Sequence, residues 1–279
     1  MESQQMKMKQ LKSTAHDLQA IVERSLVARD LAEPLASFDV EQTTDKVASF
    51  MDREVYDVVG IREDGLIIGY LRRSELREGK IANYLRLFED NLVMEETRGI
   101  ADVLRRFDRE ESSPVFVTGA SSHVWGIITR GDLQKAPVRM YLFALITLLE
   151  MQLLNLIRHQ HSADESWKQQ LSADRLKKAI EMYEHKCKRN IAIDVLDCLQ
   201  WCDKRDIVVA SDSLWSSLGW ESPNKAKSEL NELQGLRDDL AHAQDILVEH
   251  WPRLVKLADS AQKRLKACER LELTREVAA

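Results

Sequence analysis

Val58–Leu76 reads VVGIREDGLIIGYLRRSEL, and Val115–Leu133 reads VFVTGASSHVWGIITRGDL. The two stretches align without a gap at an offset of 57 residues. Val58 meets Val115, Gly69 meets Gly126, Arg73 meets Arg130, Glu75 meets Asp132 and Leu76 meets Leu133. The same offset runs upstream through Asp45 and Asp102, Val47 and Leu104, and Phe50 and Phe107. Short β-branched runs bounded by Gly and Asp predict two strands per copy. A helix precedes them, and a new helix is expected to open at Ser-Glu-Leu or Gly-Asp-Leu. Two copies make a pseudo-symmetric pair rather than a solenoid.

Outward from this repeat the chain changes character. Eight of the ten glycines lie between Gly60 and Gly131, and only Gly219 and Gly235 follow. Glycine suits tight turns and weakens helix interiors, so a turn-rich middle precedes a long helical half. At roughly 100–200 residues per domain, 279 residues make about two domains. A hydrophobic content of 44% excludes a disordered chain, and a net charge of −6 argues against a polyanion binder working by bulk charge.

Met1–Gln10 is polar and has no signal-peptide apolar core. The longest apolar stretch, Met140–Leu149, is half the length a membrane span needs, so a core helix and a cytoplasmic protein without a membrane segment are expected. Cys187, Cys198, Cys202 and Cys268 lack Cys-x-x-Cys spacing. Cys198 and Cys202 share a helix face and His185 precedes Cys187, which leaves a zinc site open. Buried reduced thiols are the better reading, and no metal site is assigned.

Strand–turn–strand followed by Gly126-Ile-Ile-Thr129-Arg130-Gly131-Asp132 resembles a cystathionine-β-synthase-type (CBS) domain. Two in tandem resemble a Bateman module over 29–137, with repeats at 29–80 and 81–137. The resemblance implies small β-sheets with helices and a cleft for an adenosine-containing nucleotide such as AMP or ATP. The nucleotide-binding residues implied are Thr129, Asp132, Arg130 and Gly126. Asp132 can accept ribose hydroxyls and Thr129 can donate to a phosphate, with helix N-terminal amides beyond them. The first copy departs from the pattern: Arg72 stands where the hydroxyl is expected and Glu75 where the shorter acid is expected. Arg72 can instead meet a phosphate, and one occupied site is expected. The alternative is a structural pair in which Thr129 and Asp132 only cap the following helix.

Before the pair, residues 1–28 form an N-terminal helix by the spacing of Met8, Leu11, Ala15, Leu18, Ile21, Val22 and Leu26. It is expected to pack on a partner or a neighbouring domain. After it, Pro137 separates a helical bundle at 138–279, for an α+β chain with an all-α second half. Helices are expected at 140–159, 171–188, 192–204, 222–245 and 246–271, with a partly helical connection at 206–220. Trp215 and Trp220 are read as core or interface anchors.

On the penultimate helix stands Leu236-Arg237-Asp238-Asp239-Leu240-Ala241-His242. Helical geometry puts Leu236, Leu240, Ala243 and Leu247 on a core stripe, and Arg237, Asp238, His242 and Asp245 on another face around small Ala241. The bare Arg-to-His spacing is uninformative. In an all-α context the string resembles the Arg-x4-6-His motif of HEPN domains, over roughly 138–270. The resemblance implies a metal-independent endoribonuclease with two motif helices meeting across a homodimer. Arg237 and His242 are then catalytic, and Asp238 orients them. His242 would move the proton and Arg237 would stabilise the pentavalent phosphate, with cleavage through the RNA 2′-hydroxyl. Lys186, Lys188 and Arg189, or Lys204 and Arg205, would guide the RNA backbone.

The expected whole is a nucleotide-responsive ribonuclease suited to stress or anti-phage defence. Two rivals stay open. One is a non-enzymatic sensor whose helical half mediates dimerisation or binds an effector; the other is an antitoxin-paired toxin with the CBS pair as scaffold.

Overall fold

The computed structural model describes residues 15–109, 113–162, 164–189, 193–241 and 251–278. The chain forms two compact units, one of 23–141 and one of 1–22 with 142–279.

Helix α1 (Ala15–Ser25) buries Ala15 and Gln19, and His16 Nδ1 lies 3.2 Å from Glu269 near the far end of the chain. The first unit then builds a mixed sheet. Its elements are β1 (Glu33–Pro34), β2 (Ser37–Asp39), α2 (Thr44–Glu54), β3 (Val58–Glu63), β4 (Leu66–Arg72), β5 (Val93–Glu95), α3 (Ile100–Arg109), β6 (Val115–Thr118) and β7 (Val124–Ile128). Strand order is β2-β3-β4-β7-β6-β5, with β1 added antiparallel to β7. In each copy a helix joins two parallel strands, β2 to β3 and β5 to β6, and a hairpin supplies the third strand. The expected small sheets are therefore one sheet, because β4 pairs with β7 at Ile67↔Val124.

The β3–β4 turn, Asp64-Gly65, has both φ values positive at 48° and 82°. Two-residue hairpins of this hand need that conformation, which Gly and Asp tolerate. The copies bury apolar residues between sheet and helix: Val47, Met51, Val59, Ile61, Leu71, Leu76 and Ile81 form the cluster of the first. A second cluster, Leu35, Tyr70, Leu92, Phe116 and Val124, lies where the copies join. Tyr70 and Phe88 stack there, and the Phe116 ring meets them tilted and edge-on, its centroid 4.7 Å from each. Aromatic pairs at such spacing add about 0.5–1.5 kcal/mol each beyond area burial.

The expected helix openings at Ser74-Glu75-Leu76 and Gly131-Asp132-Leu133 need correction. The chain makes only short 3-10 turns, Arg73–Glu75 and Arg130–Gln134. Pro137, at the expected boundary, falls inside a helix, and the two units divide a few residues later, between Tyr141 and Leu142. The proline is the second residue of α4 (Ala136–Gln160), a first-turn position where its missing N–H costs nothing.

The second unit is helical over its described residues: α4 from Leu142 onward, α5 (Ala173–Cys187), α6 (Trp201–Ala210), α7 (Asp212–Ser217), α8 (Pro223–Ala241) and α9 (Trp251–Ala278). Helix α4 is long and apolar enough to cross a membrane by length and composition. Its Leu145, Ile146, Leu149, Leu153, Leu156 and Ile157 are nevertheless buried in protein. The expected helix at 192–204 is replaced by a 3-10 turn, Leu196–Cys198, and a later start at Trp201. Asp203 sets that start: its carboxylate accepts the Gln200 N–H at 2.8 Å and is gripped by Arg175 Nε at 2.8 Å. The expected connection at 206–220 is mostly helix for the same reason, since α6 extends to Ala210 and α7 follows. Trp220 is buried beneath the Arg264 guanidinium, 4.7 Å from its ring centre, whereas Trp215 is half-buried and donates to Asp212 at 3.0 Å.

Candidate functional site

A cavity of about 680 Å³ opens in the first unit. It is lined by Thr129, Arg130 and Asp132 of the second copy and by Arg72 and Ser74 of the first. Each hairpin delivers its share in the same way. Val58 pairs with Arg72 and Val115 with Ile128, so the start of one strand lies beside the end of the next. The residues just before those strands, Tyr56 and Asp57 in one copy and Ser113 and Pro114 in the other, line the same wall. They too are counterparts at the 57-residue offset. Sequence reading missed them, although extending the alignment two residues upstream exposes them.

Asp132 is organised by its neighbours. Its Oδ2 accepts from the Thr129 N–H at 2.7 Å and from the Thr129 hydroxyl at 2.8 Å. Its Oδ1 lies 2.8 Å from Lys135 Nζ, which also holds Glu33 and donates to the Leu31 carbonyl at 2.7 Å. Burial pulls the Lys135 ammonium toward neutrality, but the hydrogen bonds it donates to Asp132 and Glu33 outweigh it and hold its pKa above the ordinary lysine value. The expected cap is thus present in inverted form, with the acid as acceptor. A carboxylate oxygen offers more than one lone pair, so Asp132 keeps capacity to accept ligand hydroxyls. A five-residue 3-10 turn offers no helix N-terminus for an anion, which corrects that part of the expectation.

Gly126 does not line the cavity. It lies under β1, where a Cβ would stand 3.1 Å from the Glu33 carbonyl oxygen and 3.3 Å from Ala32 Cβ. Its counterpart Gly69 lies under the bridge between Tyr70 and Arg86. Both glycines let a crossing backbone approach the sheet. Glu75 does not line the cavity either: the Arg86 guanidinium holds it through two bonds of 2.6 and 2.7 Å.

Arg72 differs from the other cations here. It lines the cavity, and its buried Nε makes no hydrogen bond among the described residues.

In the helical unit, Leu236 and Leu240 of the expected stripe are buried, as are Leu230 and Leu233 earlier on α8, while Ala243 and Leu247 lie outside the described residues. Arg237 is half-buried, with its guanidinium 6.0 Å from the centre of the Trp201 ring. Its Nη1 donates to Glu150 Oε2 at 3.1 Å, and Lys204 Nζ donates to Glu150 Oε1 at 2.8 Å. Asp238 is exposed and lies 3.5 Å from Arg237 Nε. His242 and Asp245 lie outside the described residues. Glu150 was not foreseen, because it stands 87 residues before Arg237 with no local pattern linking them. Lys204 and Arg205 do not serve as free phosphate guides: Lys204 is committed to Glu150, and Arg205 to Asp206 and Asn231. Lys188 and Arg189 are exposed.

Cys198 and Cys268 are buried, Cys202 is half-buried and Cys187 is exposed, all as free thiols. Among the described residues no group of three or more His, Cys, Asp or Glu is placed to hold a metal ion.

No family model and no curated protein matches the chain. Solved structures do. A CBS domain pair/ACT domain protein from Thermotoga maritima matches at 13% identity and TM-score 0.35, over 41% of this chain and 98% of that one. CBSX2 in complex with AMP matches at 17% identity and TM-score 0.36, over 41% of this chain and 97% of that one. The CBS domain of a bacterial CNNM/CorC family Mg2+ transporter in complex with ATP matches at 14% identity and TM-score 0.35, over 44% of this chain and 94% of that one.

Proposed function

We propose that this protein is an adenine-nucleotide-responsive regulator, in which the cavity of the first unit takes the nucleotide and the helical unit carries the response. The observation that carries the reading is the convergence of Thr129, Arg130, Asp132 and Arg72 on one cavity. The group offers a carboxylate for ribose hydroxyls and guanidinium groups for phosphate, the two polar parts of a nucleotide. Chain connectivity supports coupling: Lys135, which grips Asp132, immediately precedes α4, and α4 carries Glu150, the partner of Arg237.

For the response itself we propose metal-independent RNA cleavage in a homodimer, with Arg237, Asp238 and His242 as the catalytic set. The support is the motif string and its place on an amphipathic helix with a buried leucine stripe. A second reading, dimerisation or partner binding without catalysis, draws support from the Glu150 pairing. That pairing partly neutralises Arg237, and a substrate phosphate must compete with it.

Thermal unfolding with AMP, ATP, S-adenosylmethionine and cyclic nucleotides tests the sensor; stabilisation by none of them removes it. Incubation with structured RNA in EDTA, with and without those ligands, tests the response. Cleavage lost in Arg237→Ala and His242→Ala supports the ribonuclease, and no cleavage under any condition leaves the binding module.

A further inference from the structure

Resting on the ribonuclease reading, we infer that Glu150 is a positioning residue. It sets the Arg237 guanidinium for a substrate phosphate, and Lys204 holds it in place. Glu150 lies outside the motif string and comes from α4.

The sequence of α4 singles Glu150 out. It is the one charged residue between Met140 and Ile157, in a stretch that is otherwise mainly apolar. A carboxylate in such a place costs desolvation unless it is paired. Here both oxygens are used: Oε1 accepts from Lys204 Nζ at 2.8 Å, and Oε2 accepts from Arg237 Nη1 at 3.1 Å. Apolar side chains in place of such a cluster are often neutral or stabilising, so stability alone gives little reason for it.

Lys204 decides what the pairing does. Its side chain is 9% exposed and its ion-pair partner among the described residues is Glu150. It anchors the carboxylate and leaves the trio with a surplus of one positive charge. Paired with Arg237 alone, Glu150 would cancel the charge and merely compete with a phosphate. Asp238 is 52% exposed, so water screens it and it offsets less of that surplus.

The guanidinium has three fixed neighbours. Nη1 faces Glu150, Nε lies 3.5 Å from Asp238, and the Trp201 ring centre lies 6.0 Å away, at the outer reach of cation–π attraction. Trp201 is buried, and its Nε1 donates to the Leu230 carbonyl at 2.9 Å, which ties the ring to the helix that carries Arg237. Among the described residues these contacts leave Nη2 open to a ligand. The Arg237 side chain is 30% exposed, so a phosphate can reach it. A donor oriented in advance needs no reorganisation as charge develops on the phosphate, so its benefit falls on the transition state.

The test is steady-state cleavage of structured RNA in EDTA by the full chain, comparing wild type with Glu150→Gln and Glu150→Asp. Glutamine keeps the reach and loses the charge; aspartate keeps the charge and loses the reach. Both should lower kcat about 10-fold per folded molecule at unchanged KM, the worth of one weakened charge-assisted bond in the transition state. Circular dichroism and urea midpoints give the folded fraction of each variant. Losses that only track the folded fraction overturn the inference, and so does wild-type kcat in either variant. A raised kcat in Glu150→Gln also overturns it and makes Glu150 a competitor for the phosphate. In all three cases the ribonuclease reading stands. Absence of cleavage by the wild type removes both readings together.

Discussion

Ile67 pairs with Val124, its own counterpart at the 57-residue offset. In an antiparallel pairing a residue can face its own repeat equivalent only where a twofold axis passes between them. This pair therefore marks the pseudo-dyad of the first unit, and it explains why equivalent strand ends from both copies reach one cavity. Thr129 and Arg72, counterparts at that offset, stand at like positions about that axis with unlike chemistry, a hydroxyl bonded to Asp132 against a guanidinium whose buried Nε makes no hydrogen bond among the described residues.

Val55 ends α2 in the left-handed region at φ 59°, and the residue is 86% exposed. A β-branched residue pays for this conformation, and glycine does not. Val55→Gly should raise stability by about 1 kcal/mol, read as a higher urea midpoint at unchanged slope. A lower midpoint would show that the valine side chain contributes more than its backbone costs.

Gly69→Ala should be much worse than Gly126→Ala. At Gly69 a Cβ would collide with the Arg86 carbonyl oxygen and stand 2.5 Å from Leu85 Cδ1, and the backbone cannot yield without breaking the Tyr70–Arg86 bridge. At Gly126 the nearest atom is 3.1 Å away. Costs of about 3 and about 1 kcal/mol are expected, within the range for overpacking. Denaturant titration of both variants checks the order.

Glu150→Ala should destabilise more than Arg237→Ala. Removing Glu150 strips the partner from Lys204, whose side chain is 9% exposed, at a cost of about 2–3 kcal/mol once partial exposure of the carboxylate is allowed for. Removing Arg237 leaves Glu150 and Lys204 paired, and about 1 kcal/mol is expected. Equal losses would mean that Arg237, rather than Lys204, dominates the cluster.

Lys135 supplies a pH signature. Its folded pKa lies above the unfolded value, so its contribution is fully present below about pH 10 and fades as pH rises through the folded value. The stability difference between wild type and Lys135→Met should stay flat from pH 7 to about pH 10 and shrink above that. A difference that instead shrinks toward acid would assign the effect to Asp132 and Glu33.

Much of the first unit was legible because its signals are local. Short β-branched runs bounded by Gly and Asp name its strands. The repeat then assigns the pairs. The Asp206–Trp220 stretch was less legible because α6 begins on a cap completed by Arg175, which comes from α5. The sequence does not say what approaches Gly126, because a glycine signals close approach without distinguishing a backbone from a ligand, and here the β1 backbone lies against it. On α8 the leucine spacing located the buried stripe.

By itself, then, the sequence determined the pseudo-symmetric pair, its hairpins, the helical second half and the leucine face of α8. Each of these follows from short-range periodicity or from an exact internal offset. The tertiary structure alone decided that both copies open onto one cavity, that Arg72, which lines it, keeps a buried Nε without a hydrogen bond among the described residues, and that Arg237 is held by Glu150. The physical reason is that periodicity reports which face is buried and never which distant side chain meets it. Partnership between charges depends on through-space distance and desolvation, which only the folded chain sets.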